Sequence, residues 1–221
     1  MPDIAGRLVV LAGATSTLGH TATRALVTAG ARVVAVSRDA GRLAELEALG
    51  ARAEVCDLED PVAVDDLKRR IHLAEGGVDG VIPLVGGWRG GGGIAAQSDE
   101  DYRALETSFT VLRNVSRAFD ADLRASSAGR LAIISSRAVA RPLAGGANYV
   151  AVKAASEAWV RAVAQGFAKA AREADEQLRA AATIFRVKSL EGVEGIAAQE
   201  IVNLWESHAR YINDRIIDLD A

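Results

Sequence analysis

Residues 7–19 read RLVVLAGATSTLG, and this stretch decides the fold. Its first half, RLVVLAG, is a continuous apolar run that ends at glycine, as is typical of a buried parallel strand. From residue 17 onward, apolar residues recur at helical spacing until Gly30, a residue type that commonly ends helices. A strand, a glycine-containing turn and a helix in this order predict the start of a βαβ unit.

The rest of the chain repeats this alternation. Strands are predicted at 32–38, 53–58, 78–87, 130–136, 181–187 and 215–219; helices are predicted at 17–29, 40–50, from Pro61 onward, and at 98–123, 147–173 and 193–207. The order predicts a single α/β domain, 1–221, built on one doubly wound parallel sheet of about seven strands with helices on both faces. Ligands of such sheets bind beyond the C-terminal ends of the strands.

Length, composition and charge narrow the class of protein. The 221 residues suffice for one domain with a sizeable core, and the formal net charge is −3 without a basic stripe. We therefore expect neither nucleic acid nor an anionic membrane as a partner. Cys56 is the single cysteine, so no internal disulfide can form, which fits a reducing compartment. The three histidines are scattered without metal-ligand spacing, so we expect no metal site.

The N-terminal apolar run is too short to span a bilayer and lacks the flank of a cleavage site. This pattern favours a cytoplasmic protein whose first strand begins near residue 7.

The turn GATSTLG (13–19) is a candidate phosphate loop. A glycine turn lets the backbone approach a pyrophosphate, and the following helix N-terminus offers free N–H groups. The dinucleotide fingerprint G-x-G-x-x-G is incomplete, because Ser16 and Thr17 stand where glycines are expected, and an ordinary β–α turn remains the alternative. The candidate contacts are Gly13, Thr15, Ser16, Thr17, Leu18 and Gly19.

The end of the second strand bears on the choice of nucleotide. Ser37 and Arg38 stand there, and no acid precedes Asp39. An acid in this region would select NAD, whereas an arginine suits a 2′-phosphate, so Arg38 favours NADP(H) over NAD(H). A solvated surface arginine is the alternative. Asp57, followed by Leu58, ends the third strand, where it either meets the adenine or only starts a turn.

Tyr149 and Lys153 lie four residues apart on one face of a predicted helix. An ammonium beside a phenol favours the phenolate and is expected to lower the tyrosine pKa from about 10. Such a tyrosine can give a proton to a carbonyl oxygen or take one from an alcohol. Ser136, at the end of the fifth strand, is expected to converge on the same edge of the sheet and to bond the substrate oxygen.

These features resemble the short-chain dehydrogenase/reductase family in its compact, single-domain form. The resemblance covers the whole chain and rests on the glycine turn, Asp57 and the Ser136…Tyr149-x-x-x-Lys153 set. It implies a Rossmann fold and hydride transfer between a nicotinamide and a carbonyl or alcohol. It also implies that Tyr149 is the general acid/base, that Lys153 tunes it and holds the nicotinamide ribose, and that Ser136 orients the substrate.

The sequence departs from the family pattern around this set. Thr17 replaces the middle glycine of the loop, and PLVG (83–86) stands for Asn-Asn-Ala-Gly, which leaves Val85 and Gly86 as candidate cofactor contacts. Ser108 aligns with the asparagine that holds a relay water and is the fourth catalytic candidate. The lid after the sixth strand is cut to KSLEG (188–192). A catalytically weak or inactive NADP-binding sensor on the same fold is therefore the alternative function.

The irregular segments that would form the pocket walls contain apolar residues, which predicts an apolar or aromatic carbonyl or alcohol as substrate. Their apolar residues are Leu84, Trp88, Val139, Leu143 and Phe185, and WRGGGG (88–93) is expected to be a mobile loop. In the resembled family, helices corresponding to 98–123 and 147–173 pair across a two-fold axis, which implies a homodimer or homotetramer. Packing of the same helices within the monomer is the alternative.

Overall fold

The computed structural model describes residues 3–219. Within that range the strands form one seven-stranded sheet in the order β3-β2-β1-β4-β5-β6-β7, and every neighbouring pair is parallel. The strand order reverses between β1 and β4, so the predicted doubly wound fold is confirmed. The strands are β1 (Leu8–Ala12), β2 (Arg32–Ser37), β3 (Arg52–Val55), β4 (Gly80–Pro83), β5 (Arg130–Ser136), β6 (Ala181–Val187) and β7 (Arg215–Asp218).

Helices cover both faces of the sheet, and each face has its own apolar core. Residues of α1, α2 and α6 pack on one face, and residues of α3, α4 and α5 pack on the other. The helices are α1 (Thr17–Thr28), α2 (Ala40–Ala48), α3 (Pro61–Glu75), α4 (Asp99–Ala125), α5 (Ala147–Glu173), α6 (Glu194–Asn203) and the short α7 (Ala209–Ile212). No helix between residues 3 and 219 is long and apolar enough to cross a membrane.

Several predicted elements extend beyond the observed ones: β3 ends at Val55 rather than at residue 58, and the difference is largest at the ends of β4 and α6. β4 ends at Pro83 rather than at residue 87, because Pro83 is the last residue paired with β1 and the chain then turns into the cleft. The helix predicted at 193–207 ends at Asn203. Beyond it, the side chain of Trp205 is fully buried and its indole N–H donates to the Ala128 carbonyl at 3.0 Å, which holds the chain out of helical geometry.

The two long helices, α4 and α5, pack against each other within the monomer. The indole N–H of Trp159 donates to the Ser116 hydroxyl at 2.9 Å, and the Trp159 ring meets the edge of Phe109. Ala151 and Ala158 of α5 nevertheless stay exposed. Contact within the monomer is thus present, and assembly into a homodimer or homotetramer through these helices stays a prediction.

Candidate active site

A continuous cleft lies at the C-terminal ends of the strands. It consists of a cavity of about 810 Å³ next to β4, β5 and β6, and a cavity of about 370 Å³ next to β2 and β3. Both cavities are lined by Ser16, Leu84, Val85 and Gly86, so the cleft runs without interruption from the end of β2 to the start of α5. Its position is the one expected for a ligand of a doubly wound sheet.

The glycine turn brings bare backbone to the wall of this cleft. Gly13 has a φ of +86°, and a Cβ there would lie 2.4 Å from a methyl carbon of Val85. A Cβ on Gly19 would lie 2.0 Å from the carbonyl oxygen of Ala14. Both positions therefore require glycine, and the resulting close approach of the turn to α1 is suited to a pyrophosphate.

The hydroxyl residues of the turn have different positions. The Ser16 hydroxyl caps α1 by accepting from the Gly19 N–H at 3.1 Å, so this oxygen already serves its own helix. Thr17 and Leu18 line the larger cavity, and Thr15 lines the smaller one. Gly19 lines neither cavity, and its contribution is the close contact with Ala14.

The smaller cavity brings together the residues predicted for the adenosine end. Ser37, Arg38, Asp57 and Leu58 all line it. Asp57 also accepts from the backbone N–H of Glu59 at 3.0 Å, so it does start a turn, as the alternative interpretation held. The guanidinium of Arg38 is bonded to the Glu59 carboxylate at 3.1 Å, and both side chains are exposed.

Sequence reasoning missed a second arginine at this end. Arg42, in the first turn of α2, lines the same cavity, and its guanidinium donates to the Thr15 carbonyl. A search for cations within one helical turn of Arg38 would have found it. Arg38 and Arg42 thus place two positive charges where the sequence indicated one.

At the other end, Ser136, Tyr149 and Lys153 converge on the larger cavity. The Lys153 ammonium donates to the Ile134 carbonyl at 2.8 Å and lies 5.8 Å from the centre of the Tyr149 ring. The Ser136 hydroxyl accepts from the Ala138 N–H at 3.2 Å and is near enough to Tyr149 to lower the pKa of its phenol. The end of β5 and the first turns of α5 therefore form one polar cluster.

The predicted lowering of the tyrosine pKa is wrong for this structure. Burial raises the pKa of Tyr149, and the hydrogen bond from Ser136 lowers it only in part. Burial also lowers the pKa of Lys153 to about 8, and the charge of Glu157 opposes that change. The ammonium is bonded to Ile134 and sits over the ring rather than at the hydroxyl, so loss of water dominates at Tyr149.

Three other residues predicted for the site lie outside the cleft. The Ser108 hydroxyl donates to the Leu105 carbonyl of its own helix at 2.7 Å, and Ser108 lines neither cavity. Phe185 is fully buried in the core beneath α1 and α6, because alternation along β6 turns it away from the cleft. Val139 is likewise not a wall residue, whereas Leu84, Trp88 and Leu143 are.

The glycine loop is bonded to the turn that precedes α5. The Gly91 N–H donates to the Gly145 carbonyl at 2.7 Å. The Gln97 side-chain amide donates to both the Gly91 and Gly145 carbonyls, and its oxygen accepts from the Asn148 N–H at 3.2 Å. Gln97, which the sequence did not single out, thus ties the cavity wall to the residue next to Tyr149. The mobility of the loop stays a prediction.

The chain is similar to proteins of known sequence and of known structure. The curated 2,3-dihydro-2,3-dihydroxybenzoate dehydrogenase of Bacillus subtilis (strain 168) is 29% identical over 160 residues, which cover 69% of this chain and 61% of that protein. The match therefore spans less than two thirds of the relative's length.

Solved structures resemble the whole chain. The NADPH-bound short chain oxidoreductase from Pseudomonas aeruginosa PAO1, described as containing an atypical catalytic center, is 21% identical with a TM-score of 0.83, over 99% of this chain and 97% of that one. A metagenomic short-chain oxidoreductase in complex with NADP is 23% identical with a TM-score of 0.80, over 99% of each chain. At these identities the likeness shows the fold.

Membership of a family rests on the sequence itself. The family model described as short chain dehydrogenase matches residues 7–171, which include the glycine turn, the end of β5 and both Tyr149 and Lys153. Because that match covers most of the chain and ends inside the helix that carries the tyrosine and lysine, the protein belongs to the short-chain dehydrogenase family of oxidoreductases.

Proposed function

We propose that the protein is an NADP(H)-dependent oxidoreductase that transfers hydride between the nicotinamide and a small carbonyl or alcohol. Ser136, Tyr149 and Lys153 are its catalytic residues. The observation that carries the proposal is that these three side chains meet at one end of a cleft whose other end is lined by the glycine turn and Arg38.

The cleft fits a dinucleotide along its length. The glycine turn would hold the pyrophosphate, Asp57 and Leu58 would border the adenine, and Val85 and Gly86 would lie along the middle. A Cβ on Gly86 would come 3.8 Å from the Lys153 ammonium, so the absence of a side chain leaves that ammonium accessible to a ribose. The bound nicotinamide supplies or accepts the hydride.

Two arginines support NADP(H) rather than NAD(H). Arg38 and Arg42 line the adenosine end, where a 2′-phosphate would add two negative charges. The pair between Arg38 and Glu59 is exposed and therefore weak, so a phosphate can compete for the guanidinium. The solved structures with NADPH and NADP, similar in fold, agree with this choice.

The proton transfer falls to Tyr149. Its raised pKa keeps the phenol protonated near neutral pH, so it can donate a proton to a carbonyl oxygen as the alcohol forms. Ser136 lines the same cavity and would orient the substrate oxygen. Lys153, charged below about pH 8, stabilises the phenolate that remains after the proton has left.

The substrate cavity favours an apolar or ring-bearing carbonyl or alcohol. Its walls include Leu84, Trp88, Leu143, Val150 and Leu190. Trp88 and Leu143 are 66% and 71% exposed at the rim, and large apolar side chains grouped at a cavity mouth mark a binding surface. The curated relative's name, a dehydrogenase of a dihydroxylated dihydrobenzoate, makes cyclic alcohols and ketones the first candidates.

The test compares Tyr149→Phe with Tyr211→Phe, a matched change at an exposed tyrosine of α7. Oxidation of NADPH is measured with a panel of cyclic and aryl ketones, and NADPH binding is measured by fluorescence. Loss of the general acid should lower turnover about 10²–10⁴-fold for Tyr149→Phe, with a Kd for NADPH within about twofold of the unmodified protein. Wild-type turnover by Tyr149→Phe would refute the assigned role.

One observation favours the sensor function as second candidate. Ser108, aligned with the relay asparagine, bonds Leu105 and does not reach the cleft. Tight NADPH binding by the unmodified protein, without oxidation across the panel, would support the sensor. Failure to bind either nicotinamide dinucleotide would contradict both functions.

A further inference from the structure

A buried carboxylate lies one helical turn beyond Lys153. Glu157 of α5 is 5% exposed. One of its oxygens accepts from the Ser135 hydroxyl at 2.6 Å and from the Arg186 Nε at 2.8 Å, and the other accepts from the Arg186 Nη2 at 2.6 Å. These bonds join α5 to the ends of both β5 and β6, next to the cleft.

Lys153 and Glu157 hold adjacent residues of the same strand. The Lys153 ammonium donates to the carbonyl of Ile134, and Glu157 accepts from the hydroxyl of the next residue, Ser135. Ser136, which follows, lines the larger cavity together with Tyr149. Two consecutive residues of β5 are therefore bonded to α5, one by the catalytic lysine itself and the other by the residue one helical turn beyond it.

We propose that Glu157 is a positioning residue of the active site, which fixes the Lys153 turn of α5 against the ends of β5 and β6. The inference rests on the proposed role of Lys153. Burial of the Glu157 carboxylate costs free energy, which its bonded partners offset. Removal of its charge should therefore change the pKa of the neighbouring Lys153. Glu157 touches neither cavity, so its effect acts through Lys153.

The charged groups around Lys153 and Glu157 indicate that loss of the Glu157 charge lowers the pKa of Lys153. On α5, Tyr149 and Glu157 face Lys153, and Glu157 raises the pKa of the lysine. Arg186 of β6 is bonded to Glu157. Lys188 and Glu194, which follow β6 in the chain, line the larger cavity. Asp218 of β7 interacts with Arg186. Neutralising Glu157 removes the negative charge that raises the pKa of Lys153 and deprives Arg186 of the carboxylate it is hydrogen-bonded to.

The experiment follows the lysine directly. The chain has four lysines, so protein labelled with ¹³C at the lysine ε-carbons gives few signals, and Lys153→Arg identifies that of Lys153. Titration midpoints are compared for the full chain, Glu157→Gln and the matched control Asp214→Asn. Asp214 pairs with Arg161 one turn farther along α5, at 3.0 Å, but there both side chains are exposed.

We expect the Lys153 signal to titrate near pH 8 in the unmodified protein and at least about one pH unit lower in Glu157→Gln. Asp214→Asn should leave the midpoint unchanged. If Glu157→Gln does not fold, Glu157→Gln/Arg186→Gln removes both charges together and should still lower the midpoint. A midpoint that stays at the wild-type value in whichever of these variants folds would overturn the inference.

This readout separates the inference from the function on which it rests. NADPH titration of the same samples, midway between the two midpoints, should show about threefold weaker binding by Glu157→Gln, because a shift of about one pH unit leaves about a quarter of its lysine charged against about three quarters in the unmodified protein. An unmodified protein that binds no NADPH would contradict the proposed function, whereas the NMR midpoints would still decide the role of Glu157.

Discussion

Replacement of Gly19 by alanine tests the geometry on which cofactor binding is argued. The new Cβ would lie 2.0, 2.4 and 2.9 Å from the carbonyl oxygen, carbonyl carbon and Cα of Ala14. All three are backbone atoms. The N–H groups of Gly13 and Ala14 both donate to the Val36 carbonyl, at 2.9 and 3.0 Å, so the turn is fixed to β2 and cannot retreat without breaking these bonds.

The expected magnitude follows from two opposed terms. Overpacking against rigid neighbours costs about 3 kcal/mol, the upper end of the usual range, whereas alanine gains about 1 kcal/mol over glycine in a helix. The free energy of unfolding should therefore fall by about 2 kcal/mol, which for a domain of this size lowers Tm by roughly 4–8 °C. Displacement of the turn should also weaken NADPH binding by at least about tenfold.

Thermal unfolding and NADPH fluorescence titration measure the two effects, and Gly195→Ala is the matched control. Gly195 also lies in the first turn of a helix, but a Cβ there meets no atom within 4 Å. That variant should be as stable as the unmodified protein or up to about 1 kcal/mol more stable, with the same NADPH affinity. A Gly19→Ala variant with wild-type Tm and wild-type Kd would refute the reasoning from the turn.

Two further predictions concern charge. Arg42→Met should weaken NADPH binding about tenfold or more and change NADH binding less than about twofold, because only the former has a 2′-phosphate; equal losses in fluorescence titrations would contradict the role given to Arg42. Lys153 has its pKa lowered from 10.5 to about 8 in the folded protein, so between these values the unfolded chain binds more protons and this lysine makes stability rise with pH. In Lys153→Met, the free energy of unfolding measured with urea should no longer rise in this way between pH 8 and 10. A rise equal to that of the unmodified protein would contradict the lowered pKa.

Much of the fold was predictable because backbone and burial requirements are local. The run at 7–13 is apolar throughout because β1 is buried on both faces, and every residue of Leu8–Ala12 is fully buried. The error at β4 has a physical cause. Leu84 and Val85 continue the apolar run and line the cleft. The paired register with β1 ends at Pro83, and the last bond to that strand runs from the Leu84 N–H to the Ala12 carbonyl at 2.7 Å. Apolar side chains that wall a cavity look like strand residues in a sequence.

The site was predictable to the extent that it depends on strand ends and helix spacing. Ser136, Tyr149 and Lys153 converge because their elements end at one edge of the sheet. The partners that cross between elements were not predictable. The bond between Arg186 and Glu157 joins positions 29 residues apart, and spacing along one helix carries no information about it.

The direction in which the pKa of Tyr149 changes could not be predicted from the sequence either, and this direction affects the proposed chemistry. An i,i+4 spacing places Tyr149 and Lys153 on one face, but it does not say which atom the ammonium bonds, and the Ile134 carbonyl is that atom. Burial then raises the pKa of Tyr149 and lowers that of Lys153 to about 8, so both protons are held below that pH. A site with a protonated phenol beside a charged amine is prepared to donate a proton. Under the proposed function, it therefore favours carbonyl reduction at neutral pH, and alcohol oxidation should require a more alkaline pH.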